Sequence, residues 1–79
     1  MENIIEYIKR LIEEIADIPQ EDIAAESSLI DDLDLSSLEI LSIISEVEKK
    51  YSFKVSESEM LSISTVEELA EIIDRKFGG

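Results

Sequence analysis

The chain has 79 residues, no cysteine and no histidine, and its twenty acidic side chains outnumber seven basic ones for a net charge of −13. Those figures exclude a disulfide scaffold, a thiolate metal site, and catalysis built on cysteine or histidine. They also exclude a nucleic-acid binder, because so acidic a surface repels phosphate backbones and anionic membranes and draws proteins with basic patches instead.

Apolar residues make up 44% of the chain and only one proline is present. Their periodic spacing argues against a disordered acidic tail. One domain over residues 1–79 is expected, with a modest core, since a chain this short buries only about 60–65% of its unfolded surface. The apolar runs are far too short to span a membrane, and no charged-then-apolar leader opens the chain. The expectation is a soluble, cytoplasmic monomer.

Residues 3 to 16 are predicted as the first helix. Ile4, Ile5, Ile8, Leu11, Ile12 and Ile15 recur at three- and four-residue steps, the spacing of one apolar stripe. Pro19 prevents continuation. Residues 17 to 35 form a long connection, with one short helical turn expected near 20 to 24. It is rich in Asp, Glu and Ser, but Ile18, Ile23, Leu29, Ile30, Leu33 and Leu35 punctuate it, which predicts a loop pinned to the core. No Lys or Arg occurs between Leu11 and Glu48, a stretch holding twelve acids.

Residues 37 to 51 are predicted as the second helix. Leu38, Leu41, Ile44, Val47 and Tyr51 form its stripe, widened by Ile40 and Ile43. Phe53 and Val55 extend the core beyond it. A short third helix over 57 to 62 carries Met60 and Leu61, and Ser56 with Glu59 has the spacing of its capping box. Thr65 and Glu68 repeat that spacing before the last helix, 66 to 77, whose apolar face is Val66, Leu69, Ile72, Ile73 and Phe77. Gly78 and Gly79 read as its stop. The fold class is all-α: three main helices, one short helix, and a long loop between the first two.

The segment that carries chemistry is Asp31-Asp32-Leu33-Asp34-Leu35-Ser36-Ser37-Leu38-Glu39, where the long loop meets the second helix. Ser36 and Glu39 have capping-box spacing, so Ser36 is the expected N-cap and Ser37 the first helical residue. The unpaired N–H groups and dipole at such a helix start favour an anion, and a phosphate ester on Ser37 suits that setting. By itself a Ser-Ser pair there is only a cap and its neighbour. The acids at 31, 32 and 34 do not make a calcium loop. Counted from Asp32, the positions requiring Gly and Glu hold Ser37 and Ile43. Tyr7, Tyr51, Phe53 and Phe77 are expected in the core or at its edge.

This segment resembles the acyl carrier proteins and the related carrier domains of fatty-acid, polyketide and peptide synthases. Their pattern is Asp-Leu-Gly, one variable residue, Asp-Ser-Leu, then Asp or Glu. Here it reads Asp32-Leu33-Asp34-Leu35-Ser36-Ser37-Leu38-Glu39, with Asp34 in the usual place of Gly and Ser36 in that of Asp. Glu46-Val47-Glu48-Lys49-Lys50-Tyr51 and Ile63-Ser64-Thr65-Val66 extend the likeness over nearly the whole chain, although Ser42, Lys49 and Lys50 stand where acids are common. The resemblance implies an acyl-carrier-like four-helix bundle that is not an enzyme. It implies a 4'-phosphopantetheine arm, taken from coenzyme A by a phosphopantetheinyl transferase and attached to Ser37, which carries acyl groups as thioesters. It also implies Asp32, Asp34, Ser36, Leu38, Glu39, Glu46 and Glu48 as the residues read by synthase enzymes with basic docking patches. The alternative is an unmodified acidic helical adaptor that binds basic proteins.

Overall fold

A computed structural model of the protein describes residues 3–77. They form four α-helices, α1 (Ile4–Ala16), α2 (Ser37–Tyr51), α3 (Glu57–Ser62) and α4 (Val66–Phe77), with a single 3-10 turn at Gln20–Asp22. The all-α reading and its helix boundaries hold, except that Asn3 is the cap of α1 and not its first residue. The Asn3 side chain accepts the Glu6 N–H at 2.8 Å. At the other end Asp17 adopts φ 60° and donates its N–H to the Glu13 carbonyl at 2.9 Å. Ser52, at φ 57°, closes α2 in the same way.

Three helices share the core. Ile8 and Ile12 of α1, Ile43 and Val47 of α2, and Val66, Leu69 and Ile73 of α4 are essentially inaccessible to solvent. Full burial of such a side chain contributes about 1.5–3 kcal/mol. An exposed ion pair contributes about 0–1 kcal/mol, so the apolar stripes decide the arrangement and the abundant charge does not. Tyr7 is buried with them. Its ring meets Tyr51 edge-on with centroids 5.8 Å apart, and Tyr51 stacks on Phe53 at 6.3 Å, so the expected aromatic edge of the core is present.

The long connection is pinned as expected. Ile23, Leu29, Leu33 and Leu35 are buried in the same cluster. Its backbone is tied to the segment leading into α4. Leu29 donates to the Ser64 carbonyl at 2.9 Å, Val66 to that of Ser27 at 3.2 Å, and Glu67 to that of Ala25 at 2.8 Å. Ser28 and Thr65 form an isolated antiparallel bridge there.

Two expectations need correction. Leu38 and Leu41 do not belong to the buried stripe of α2; they are 76% and 47% exposed. The core face of this helix is Ile40, Ile43, Ile44 and Val47. At 100° per residue position 38 lies directly opposite Val47 and position 41 lies about 120° from it, at the margin of the covered face, which is why Leu38 is the more exposed of the two. Ile30 projects into solvent at 63% exposure, since its neighbour Leu29 takes the inward direction. The expected stop at Gly78-Gly79, and the Phe77 side chain, lie outside the described residues.

Candidate functional site

Ser28 organises the loop before the site. Its carbonyl accepts the N–H groups of Asp32 and Leu33 at 3.1 and 3.0 Å. Its hydroxyl accepts the Asp31 N–H at 3.1 Å, and its own N–H donates to the Asp32 carboxylate at 2.7 Å. Short polar side chains folding back on nearby backbone in this way give a loop a fixed path. Leu33 and Leu35 then bury on either side of exposed Asp34. The chain manages this because Asp34 adopts φ 54°, a left-handed conformation open to Gly and tolerated by Asp and Asn. That conformation is the physical reason a glycine is usual at this position. Leu35 completes the turn by donating to the Leu29 carbonyl at 3.0 Å.

The next residue caps α2. The Ser36 hydroxyl accepts the Glu39 N–H at 3.2 Å, and the Glu39 carboxylate accepts the Ser36 N–H at 2.8 Å, both arms of the expected capping box. Ser37 is therefore the first helical residue, and it is exposed. The N–H groups of Ser37 and Leu38 open the helix with no intrahelical acceptor. An exposed hydroxyl at the positive end of a fifteen-residue helix suits a phosphodiester, whose charge is favoured there. The residues present thus fit a phosphate-linked arm.

The other residues expected to meet partners are not equivalent. Leu38 and Asp34 are exposed and adjoin or nearly adjoin Ser37. Asp32, Glu39 and Glu48 each commit a carboxylate oxygen to backbone, on Ser28, Ser36 and Val55 respectively. Glu46 lies two turns beyond Glu39, with its carboxylate 3.6 Å from Lys49. The site is thus a compact group at residues 32 to 39, with Glu46 and Glu48 toward the far end of α2. Sequence reasoning missed Ser28. The signal available was its short spacing to Asp31 and Asp32, which is typical of side-chain-to-backbone turns.

The comparisons with known proteins agree with this geometry. The family model for the phosphopantetheine attachment site matches residues 6–73. An acyl carrier protein of Buchnera aphidicola subsp. Acyrthosiphon pisum (strain Tuc7) is 38% identical over 76 residues, which cover 96% of this chain and 95% of the relative. An acyl carrier protein of Thermotoga maritima is 30% identical over 77 residues, with 98% and 95% covered. A solved structure from Mycobacterium tuberculosis, described as an acyl carrier protein, superposes with a TM-score of 0.84 at 27% identity, covering 94% of this chain and 99% of that one. Fold and site thus define a carrier domain of the phosphopantetheine-bearing class. The chain belongs to the acyl carrier protein family, which holds acyl groups for biosynthesis on covalently attached 4'-phosphopantetheine. Among the described residues no helix is long and apolar enough to cross a membrane.

Proposed function

We propose that Ser37 is the residue that bears the arm, and that the chain is a non-catalytic carrier working as a cytoplasmic monomer. The observation that carries this reading is the placement of Ser37: exposed, first in α2, and fixed by the Ser36–Glu39 box beside it. When attached, the arm supplies a terminal thiol that holds acyl groups as thioesters, so a chain without Cys or His can serve acyl chemistry. In the attachment Ser37 Oγ would be the nucleophile toward the phosphopantetheine phosphorus of coenzyme A, the new phosphodiester forming as the pyrophosphate bond breaks and adenosine 3',5'-bisphosphate leaves. Glu39, the acid of the first helical turn, is engaged by the Ser36 N–H. The base that takes the Ser37 proton is therefore expected from the transferase.

In this reading Asp32, Asp34, Ser36, Leu38, Glu39, Glu46 and Glu48 frame the surface that transferase and synthase enzymes meet. Asp32, Glu39 and Glu48 first hold the backbone in place, and Leu38 supplies apolar contact next to the attachment point. The test is incubation with coenzyme A and a broad-specificity phosphopantetheinyl transferase, followed by intact mass measurement. A gain of one phosphopantetheine is expected, absent in Ser37→Ala and retained in Ser36→Ala. No gain under conditions that modify a known carrier, or a gain that survives in Ser37→Ala, overturns the assignment.

A further inference from the structure

The first turn of α4 is bonded to the long loop as well as to itself. A helix start leaves its opening N–H groups without intrahelical acceptors. Here Val66 donates to the Ser27 carbonyl at 3.2 Å and Glu67 to that of Ala25 at 2.8 Å, while Glu68 donates to the Thr65 hydroxyl at 3.1 Å. The loop over residues 25 to 29 thus hangs on the start of α4, and the same loop leads to Ser37.

Glu68 sets the geometry of that junction. One oxygen of its carboxylate accepts the Thr65 N–H at 3.0 Å, the ordinary arm of a capping box, and also the Ser64 N–H at 2.7 Å. The Thr65 N–H and the Ser64 carbonyl belong to one planar trans peptide unit and point in opposite directions. Holding the first with Glu68 therefore aims the second, and the Ser64 carbonyl accepts the Leu29 N–H at 2.9 Å. The Leu29 carbonyl in turn accepts the Leu35 N–H at 3.0 Å. Leu35 is joined to Ser36, whose N–H is held by the Glu39 carboxylate at 2.8 Å, and Ser37 follows. Bonds to a carboxylate are stronger than neutral ones, so the path is firmest at its Glu68 and Glu39 ends. The box of α3 gives the contrast. Ser56 and Glu59 make the same two bonds and Glu59 pairs with Lys76, yet among the described residues no hydrogen bond links α3 to the long loop.

We propose that Glu68, distant from Ser37 in the chain, is a positioning residue for attachment at that serine, acting through Ser64, Leu29 and Leu35. The proposal rests on Ser37 as the attachment point. Glu68 does not touch the reacting atoms. Its effect is on how often the loop holds Ser37 in the geometry that the transferase binds. A binding-competent state that is only partly populated weakens the apparent affinity by that fraction, so loss of Glu68 falls on KM and not on kcat.

The test compares the unmodified protein with Glu68→Ala, Glu68→Gln and Glu59→Ala, each shown folded by circular dichroism. Two readouts are taken: amide hydrogen exchange by NMR, and the kinetics with which a broad-specificity phosphopantetheinyl transferase loads each protein from coenzyme A. In Glu68→Ala the Leu29 and Leu35 amides should exchange severalfold faster, a rise exceeding any at Ile12 and Val47, which report opening of the whole core. The KM for this protein should rise about fivefold, the low end of typical couplings between sites, with kcat unchanged. Glu68→Gln, whose amide oxygen still accepts N–H groups, should recover most of the parent KM. Glu59→Ala, which loses a box of the same kind, should keep it. If Glu68→Ala does not fold, Glu68→Asp, one methylene shorter, carries the same comparison. Parent-like exchange at Leu29 and Leu35, an unchanged KM, a fall in kcat alone, or an equal rise in KM for Glu59→Ala overturns the proposal. The exchange readout needs no attachment. A missing mass gain at Ser37 removes the carrier reading and the positioning role with it, while exchange still decides whether the path exists. Unchanged exchange beside a normal mass gain removes the positioning role alone.

Discussion

Ser36 and Asp34 fix Ser37 by different means, one through a hydrogen-bonded cap and the other through a left-handed turn. Replacing Ser36 with Ala removes the acceptor for the Glu39 N–H, and loss of such a cap costs about 0.5–2 kcal/mol. Urea unfolding should show a drop of that size, while the mass gain at Ser37 persists. Unchanged stability would mean that the cap contributes nothing. At Asp34 a β-branched residue pays the left-handed penalty in full. Asp34→Val is expected to lose about 1–2 kcal/mol, whereas Asp34→Gly should lose none, because relief of that strain offsets the greater freedom of the unfolded glycine. The Ser36–Glu39 box was legible in the sequence because both partners lie within one turn. The commitment of Glu48 to the Val55 N–H was not, because it depends on how the chain folds back after Ser52.

Three of the four helices announce their starts locally. Ser36 with Glu39, Ser56 with Glu59, and Thr65 with Glu68 each make both bonds of the box, and that is why the boundaries of α2, α3 and α4 could be read from spacing. The inward face of α2 could not. Leu38 and Leu41 share the helical step of the core residues, and only the positions of α1 and α4 decide which side of α2 is covered. The short helix α3 poses the opposite case: its caps are complete, yet it buries no residue. It is held by the Ser56–Glu59 box, a bond from the Ser62 hydroxyl to the Glu59 carbonyl, and an ion pair of 3.0 Å between Glu59 and Lys76. With so little apolar surface to lose on opening, residues 57–62 should exchange their amide hydrogens faster than α1, α2 and α4. Glu59→Ala should raise exchange in α3 severalfold and leave that of Ile8, Ile12 and Val47 unchanged. Protection of α3 equal to that of α4, measured by exchange-resolved NMR, would contradict this account.

Charge acts on the molecule as a whole, and two of its effects oppose each other. A net charge of −13 on a chain this small repels itself in the compact state. Salt shortens the screening length from about 30 Å at 0.01 M to about 8 Å at 0.15 M, so the melting temperature should rise with salt over that range. Mild acidification acts in the same direction by neutralising exposed carboxylates. Glu68 and Glu59 act against it. The Glu68 carboxylate accepts the N–H groups of Ser64 and Thr65 at 2.7 and 3.0 Å, which hold its pKa below the usual 4.5, with Ser64 the larger cause. The Ser56 N–H, followed by Lys76, lowers that of Glu59. Below pH 4.5 the unfolded chain therefore binds more protons at these two positions than the folded chain does. Their stabilising contribution is complete above that pH and is lost as pH falls through the lowered folded values. Glu68→Gln isolates this effect because its amide does not titrate. The variant should be less stable than the parent at pH 7, and the gap should narrow as urea unfolding is repeated down to pH 3. A gap that stays constant would show that Glu68 contributes through shape and not through its charge. The total charge was legible from composition, and so was the Thr65–Glu68 pair. The second donor, Ser64, was not, because it precedes the cap and reaches Glu68 only through the bend that joins α3 to α4.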